Sequence, residues 1–91
     1  MHYYVADWMK AVGDDPARQK RAKAVLKGQK ITYDTYEYAR PVKKNTTIVD
    51  VNFTEPVIEY EDGFLTKKMT GLFELKNYKP RFAGEPPALP E

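Results

Sequence analysis

The proline-rich segment at residues 79–91 places the tightest limit on how this chain can fold. It reads KPRFAGEPPALPE and contains four of the seven prolines in the chain. Proline lacks a backbone N–H and pushes the residue before it toward an extended conformation, so we expect neither a helix nor a central strand here. The sequence therefore predicts a single compact domain over residues 1–78 and an extended proline-rich C-terminal arm over residues 79–91.

The side chains of this arm favour binding to another protein. Residues 85–90 should populate the polyproline II conformation, and a segment that is already extended loses little entropy when it binds. The alternative is a mobile tail that only aids solubility. We predict that the arm docks onto a partner, and that its anchors are Arg81, Phe82, Pro86 and Pro87.

The composition is that of one soluble domain, with 42% hydrophobic and 31% charged residues in a chain of 91. No apolar run approaches the roughly 18 residues of a membrane span, and the first ten residues lack the apolar core of a signal peptide. The absence of cysteine excludes disulfides, thiolate nucleophiles and sulfur-ligated metals. We expect an intracellular protein, or one inside an assembled particle, that is not secreted, not transmembrane and has no membrane partner.

Two helices are predicted at the start of the chain. Residues 3–12 repeat apolar side chains with the spacing of one helix face, and Gly13 can end this helix. Asp15 can cap a second helix that runs from Pro16 to Lys27. The apolar face of the first helix consists of Val5, Trp8, Met9 and Val12.

Strand-forming residues dominate from residue 30 onward. Residues 31–38 predict one strand, which Pro41 should close, and residues 46–53 predict a second. Alternation in the second strand points Val49, Val51 and Phe53 inward.

A hairpin and a last strand should complete the sheet. The hairpin is predicted over residues 57–65, around the turn at Asp62-Gly63, and the last strand over residues 71–75. The pattern indicates the α+β class, with an N-terminal helical hairpin packed on one face of a small antiparallel sheet of three to five strands.

Basic residues are concentrated in the first half of the chain. Residues 1–45 carry ten lysines and arginines against five acids, whereas residues 46–91 carry five against eight. Such a patch can attract nucleic acid or an acidic protein, although a solvated helix face would look the same. The patch comprises Arg18, Lys20, Lys23, Lys27, Lys30, Arg40, Lys43 and Lys44.

Seven tyrosines are present, and several fall on the predicted sheet. Exposed tyrosines can stack on bases or anchor a protein interface, whereas buried ones only fill the core. We predict aromatic contacts to bases or to a protein partner at Tyr33, Tyr36 and Tyr38. Tyr60 lies on a neighbouring predicted strand.

One short pattern points to catalysis. Glu74-Leu75-Lys76 would place a carboxylate and an amine on the same face at the end of a strand, and Asp50 and Asp62 precede it. Acids that hold a divalent cation beside a lysine are the arrangement of one class of metal-dependent nuclease. A surface Glu–Lys pair is the simpler interpretation, because such pairs are frequent in a charged chain.

These observations favour a protein that is not an enzyme, with no cofactor, no metal and no small-molecule substrate. We predict a structural or interaction subunit that docks onto a larger protein assembly, such as a virion, a ribonucleoprotein or a multisubunit complex, through its C-terminal arm and basic helix. The first alternative is a nucleic-acid-binding module that uses the basic helix and sheet tyrosines. The second is a small inhibitor of a nucleic-acid enzyme, and the most remote is the metal-dependent nuclease.

Overall fold

The computed structural model describes residues 2–91, which form three helices and five strands. The sheet is antiparallel throughout, and its strands lie in the order β4-β3-β2-β1-β5. The predicted α+β class, with two helices ahead of the sheet, is confirmed. The elements are α1 (Val5–Val12), α2 (Pro16–Leu26), β1 (Lys30–Glu37), β2 (Arg40–Asn52), β3 (Val57–Asp62), β4 (Leu65–Thr70), α3 (Gly71–Tyr78) and β5 (Arg81–Phe82).

Strand β2 is the longest and pairs with both β1 and β3. Its first part pairs with β1, from Arg40 opposite Glu37 to Thr47 opposite Lys30. Its second part pairs with β3, where Ile48 lies opposite Tyr60. The β1–β2 hairpin and the β3–β4 hairpin are therefore staggered along β2 rather than side by side.

All three helices contribute to one core on one face of the sheet. The predicted apolar face of α1 is confirmed, because its four residues are all buried. Helix α2 begins as expected, with Asp15 accepting a hydrogen bond from the Ala17 N–H and Pro16 in the first turn. The buried core consists of Val5, Trp8, Met9, Val12, Ala22, Leu26, Ile31, Tyr33, Ile48, Val51, Ile58, Tyr60, Met69, Leu75 and Phe82.

The predictions for the first two strands need two corrections. Pro41 does not close a strand but lies inside β2, opposite Tyr36. Alternation along β2 turns its missing N–H away from β1, so no bond of that ladder is lost. Val49 does not point inward but is 38% exposed, because the register shifts between Ile48 and Asp50. This irregularity is a β-bulge that returns Val51 to the core.

Residues 71–75 do not form a strand but begin helix α3. Gly71 takes a positive φ of 81°, which allows the chain to turn directly from β4 into the helix. The Glu74 carboxylate accepts a hydrogen bond from the Thr70 N–H at 2.8 Å and satisfies a free donor at the helix start. Leucine, glutamate and lysine also favour helix over strand.

The C-terminal residues fold back onto the N-terminal helices. Strand β5 pairs with β1, and the Val5 N–H donates to the Pro80 carbonyl at 2.9 Å. Farther along, the Trp8 indole N–H donates to the Pro87 carbonyl at 2.8 Å. The Arg18 Nε donates to the Pro90 carbonyl at 2.7 Å. Residues 83–91 have no regular secondary structure.

None of the helices within residues 2–91 has the length and apolar character needed to cross a membrane. The longest of them, α2, has 11 residues.

Residues 84–91 should shield the buried Trp8 from water. We expect their deletion to shift the tryptophan fluorescence to longer wavelength and to lower the free energy of unfolding by about 1–3 kcal/mol, since a buried N–H loses its acceptor. Glu85→Gln, an exposed change in the same segment, is the control and should alter neither quantity. An unchanged emission maximum in the deletion variant would contradict this arrangement.

The turn between β1 and β2 is strained. Tyr38 and Ala39 both take positive φ angles, 51° and 63°, although neither is glycine. We expect Ala39→Gly to raise the free energy of unfolding by about 1 kcal/mol and the Tm by several degrees. Ala88→Gly makes the same change where φ is not positive and should not stabilise the fold. A loss of stability in Ala39→Gly would contradict the strained conformation.

Candidate functional site

The turns of the β1–β2 and β3–β4 hairpins point toward the same end of the sheet. The β1–β2 turn is at Tyr38-Ala39, and the β3–β4 turn is at Gly63-Phe64. Thr46 donates its hydroxyl to the Glu61 carbonyl and ties the end of β3 to β2. This end exposes large apolar side chains, namely Tyr36, Tyr38, Phe64 and Leu65.

A polar cavity of about 390 Å³, which we call the tyrosine cleft, lies between the hairpins on the helix-bearing face. Three tyrosine rings pack at its base. The ring centroids of Tyr33 and Tyr60 are 5.1 Å apart, and those of Tyr33 and Tyr78 are 6.4 Å apart. Its lining residues are Tyr33, Thr35, Tyr36, Glu37, Lys44, Tyr60, Asp62, Lys67, Lys68 and Tyr78.

Two ion pairs border the tyrosine cleft. The Lys44 Nζ lies 2.5 Å from Glu37 Oε1, and this hydrogen bond raises the pKa of the lysine. The Lys67 Nζ lies 2.7 Å from Asp62 Oδ2, which lowers the pKa of the Asp62 carboxyl and raises that of the lysine. The cleft therefore has both acidic and basic side chains around its phenol groups.

Two of the tyrosines at the base, Tyr33 and Tyr60, remain protonated at neutral pH. Burial, followed by nearby Tyr33, raises the pKa of Tyr60 to about 12. Burial is also the main cause of the raised pKa of Tyr33, with Asp62 adding to it. No side-chain polar atom within residues 2–91 is buried without a hydrogen-bond partner. The Tyr33 and Tyr60 hydroxyls can therefore act as neutral hydrogen-bond donors and acceptors toward a bound molecule.

A second cavity of about 450 Å³, which we call the edge groove, lies between β1 and helix α3. It shares Thr35, Tyr36 and Tyr78 with the tyrosine cleft, so the two cavities form one continuous surface. Its lining residues are Asp34, Thr35, Tyr36, Phe73, Glu74, Asn77 and Tyr78. The hairpin tips, the tyrosine cleft and the edge groove together are called the aromatic end below.

The predicted aromatic contacts divide between core and surface. Tyr33 is buried beneath the cleft, whereas Tyr36 is 74% exposed and Tyr38 is 99% exposed. The sequence prediction missed Phe73, because residues 71–75 were expected to form a strand, and it also missed Tyr78, which follows that segment. The spacing of Leu72, Leu75 and Tyr78 at intervals of three was the available signal for a helix.

The predicted basic patch is not one surface. Lys23 and Lys27 lie within 4.0 Å of the Asp50 carboxylate, and Lys20 is exposed on the same helix. Lys30 is exposed at the start of β1. Helix α2 ends beside Ile48, whose carbonyl accepts from the Gly28 N–H.

The strand residues of the patch lie at the other end of the sheet. Arg40 and Lys43 are exposed near the hairpin tip, and Lys44 is paired with Glu37. Arg40 precedes Ile48 by eight positions along β2, a distance of about 26 Å at ~3.3 Å per residue.

The predicted docking residues of the arm contact their own domain. Phe82 is only 6% exposed and packs edge-to-face against Trp8, with ring centroids 6.2 Å apart. Arg81 Nη2 lies 2.9 Å from Asp34 Oδ1, and this hydrogen bond lowers the pKa of the Asp34 carboxyl. Pro86 and Pro87 are half-buried. A partner could reach Phe82 only if β5 left the sheet.

The pattern Glu74-Leu75-Lys76 lies on a helix rather than at the end of a strand. Residues two apart on a helix do not face each other, so the expected geometry of this carboxylate and amine is wrong. Asp50 and Asp62, which were considered with them, are paired with lysines. Within residues 2–91, no cluster of three or more acids or histidines could hold a metal ion.

Comparisons with protein-family models, with curated proteins and with solved structures gave no match to this chain.

The ion pair at the tyrosine cleft can be tested by titration. We expect Lys67→Met to raise the pKa of the Asp62 carboxyl toward its ordinary value, because the hydrogen bond from Lys67 is what lowers it. NMR titration of the side-chain carboxyl groups would measure this shift. Lys68→Met is the matched control, since Lys68 pairs with Glu59 at 3.4 Å, and it should leave Asp62 unchanged. Equal pKa values in both variants would contradict the pairing.

Proposed function

We propose that this protein is a non-enzymatic interaction subunit that docks onto a larger protein assembly through its aromatic end. A virion, a ribonucleoprotein or a multisubunit complex would each offer the protein surface that this end requires. The proposal keeps the class of function expected from the sequence and assigns the docking surface to different residues.

One observation carries the proposal: large apolar side chains are exposed beside two connected cavities. Tyr36 and Phe73, which are 74% and 77% exposed, both line the edge groove. Monomeric proteins rarely leave connected apolar surface of this kind in water, and tyrosine and phenylalanine are enriched at protein interfaces. A standard interface covers about 800 Å² on each partner, a small share of the 6259 Å² of surface described here.

The charges at this end support recognition of a protein. Two ion pairs border the cleft, Glu37 with Lys44 and Asp62 with Lys67, and its remaining lysine, Lys68, pairs with Glu59. Such mixed charges suit a partner of matching pattern and disfavour misaligned ones. A phosphate backbone would instead require a surface of uniformly positive charge.

The strained turn adds a second support. Holding Tyr38 and Ala39 at positive φ costs about 1–2 kcal/mol for each residue. The result is a tip on which Tyr38 is fully exposed and contributes nothing to the core. Backbone strain of this kind often occurs at binding sites, which is consistent with a tip shaped for contact rather than for stability.

A second candidate function is a nucleic-acid-binding module. Arg40 and Lys43 are exposed near Tyr38 at the hairpin tip, where phosphate contacts and base stacking could combine. The basic helix contributes less than expected, because Lys23 and Lys27 lie against Asp50.

Sedimentation of the protein in extracts of its own cells, with and without nuclease, tests both candidates. We expect the parent to migrate with a large particle that survives nuclease. The double variant Tyr36→Ser and Phe73→Ser should migrate as a free protein, because it loses the apolar contacts. Circular dichroism should show that the double variant folds, since both side chains are exposed.

The matched control is Tyr3→Ser, which changes an exposed tyrosine outside the aromatic end and should leave migration unchanged. Particle migration of the double variant would contradict docking through this end. A parent that migrates freely in both runs would overturn the interaction-subunit proposal. Collapse of the particle after nuclease would favour the nucleic-acid module instead.

A further inference from the structure

The outer edge of strand β1 is only partly covered by the chain itself. Strand β5 pairs with Ile31 and Thr32, and the Ala83 N–H donates to the Lys30 carbonyl at 3.0 Å. The pairing described for β5 ends there. The chain enters β5 from the end of α3, where Lys79 has a left-handed backbone, so the residues before Arg81 leave the line of the strand. Residues 33–37 therefore pair with β2 on one side and with no described strand on the other.

The direction of the free backbone groups follows from strand alternation. In an antiparallel strand, the N–H and C=O of one residue point to the same side, and the next residue points to the opposite side. The Lys30 carbonyl faces β5, so the backbone groups of Asp34 and Tyr36 face the open edge. These groups form a template for an additional strand.

Helix α3 forms the far wall beside this edge. Phe73, Glu74 and Asn77 line the edge groove across from Asp34 and Tyr36. The volume of about 450 Å³ leaves room for an extended segment beside β1. The exposed rings of Tyr36 and Phe73 would contact an apolar side chain that pointed into the groove.

The charges of the edge groove select the occupant. Its lining contains two carboxylates and no lysine or arginine. The Asp34 carboxylate is already paired with Arg81, whereas Glu74 only accepts a backbone N–H at the start of α3. Glu74 is thus the carboxylate that a basic side chain of a partner could neutralise.

We propose that the edge groove binds an extended segment of the partner protein, which adds to β1 as a new strand. This inference rests on the proposed function and specifies how the partner is bound. The segment pairs with the backbone of Asp34 and Tyr36, places an apolar side chain against Phe73 and presents a basic side chain to Glu74. Main-chain hydrogen bonds supply affinity in such complexes, and the side-chain pockets supply specificity.

A second copy of this chain is a poorer occupant of the same edge. Symmetric antiparallel pairing of two β1 edges would bring two edge grooves together, each with the Glu74 carboxylate and no lysine or arginine in its lining. Like charges placed opposite each other in a sheet are destabilising. Self-association is therefore expected to be weaker than binding of a basic segment.

A display library of short random linear peptides, selected on the full chain, tests the inference. We expect the selected peptides to carry a basic residue and an apolar residue, and to protect the amides of Asp34 and Tyr36 from hydrogen exchange in NMR spectra. The best selected peptide is then titrated against Tyr36→Pro and Tyr36→Val. Both variants lose the ring, but only the proline variant loses the N–H at the open edge.

We expect the peptide to bind Tyr36→Pro about tenfold more weakly than Tyr36→Val. The proline should be tolerated, because the N–H at this position does not belong to the ladder with β2. Equal affinities of the two variants, failure to select peptides, or protection confined to other amides would each overturn strand addition. If Tyr36→Pro does not fold, the exchange measurement on the parent decides the question alone.

Different experimental outcomes would contradict the interaction subunit and the strand addition. A parent that stays with its particle, while peptides leave the amides of Asp34 and Tyr36 unprotected, would preserve the interaction subunit and exclude strand addition. A parent that migrates freely in the extract would remove the interaction subunit itself. Self-association detected by sedimentation, with the same two amides protected in the dimer, would identify a second copy as the occupant and overturn the partner segment.

Discussion

The length of strand β2 is the constraint on which the rest of the molecule depends. Its thirteen residues would span at most about 43 Å at ~3.3 Å per residue. No neighbouring strand is as long, so β1 covers its first part and β3 its second. The stagger places the helices over one part of the sheet, where the core forms. The other part protrudes, and the tyrosine cleft lies between the two offset hairpins.

Local patterns in the sequence were enough to predict the first two helices and the class of the fold. The apolar spacing of Val5, Trp8, Met9 and Val12 leaves only one face to bury, and Asp15-Pro16 specifies where α2 begins. The predictions that failed concern residues whose position depends on contacts with distant parts of the chain. Val49 points outward because of a bulge against β3, and nothing near it in sequence marks that shift. Residues 71–75 have apolar residues typical of a strand, yet the reach of Glu74 back to Thr70 and the packing of Leu75 favour a helix.

The candidate site was less predictable than the fold, because it is assembled from elements far apart in sequence. Tyr33 and Tyr36 were recognised as aromatic residues of a strand, and alternation places them on opposite faces of it. The sequence could not show that α3 would contact Tyr33 through Tyr78 and leave Phe73 exposed. The contacts of the arm also join residues far apart in sequence. The Pro87 and Pro90 carbonyls accept hydrogen bonds from Trp8 and Arg18 of the same chain.

The closure of the fold by its last residues has a consequence for how the protein is made. Helix α1 relies on Pro80 for a backbone bond, on Phe82 for packing and on Pro87 for the indole of Trp8. A ribosome releases these residues only after the rest of the domain has been synthesised. Until then Trp8 and its neighbours lack their cover, and the nascent chain carries an unfinished apolar surface. Helix α1 should therefore complete its packing only once residues 80–87 have emerged from the ribosome.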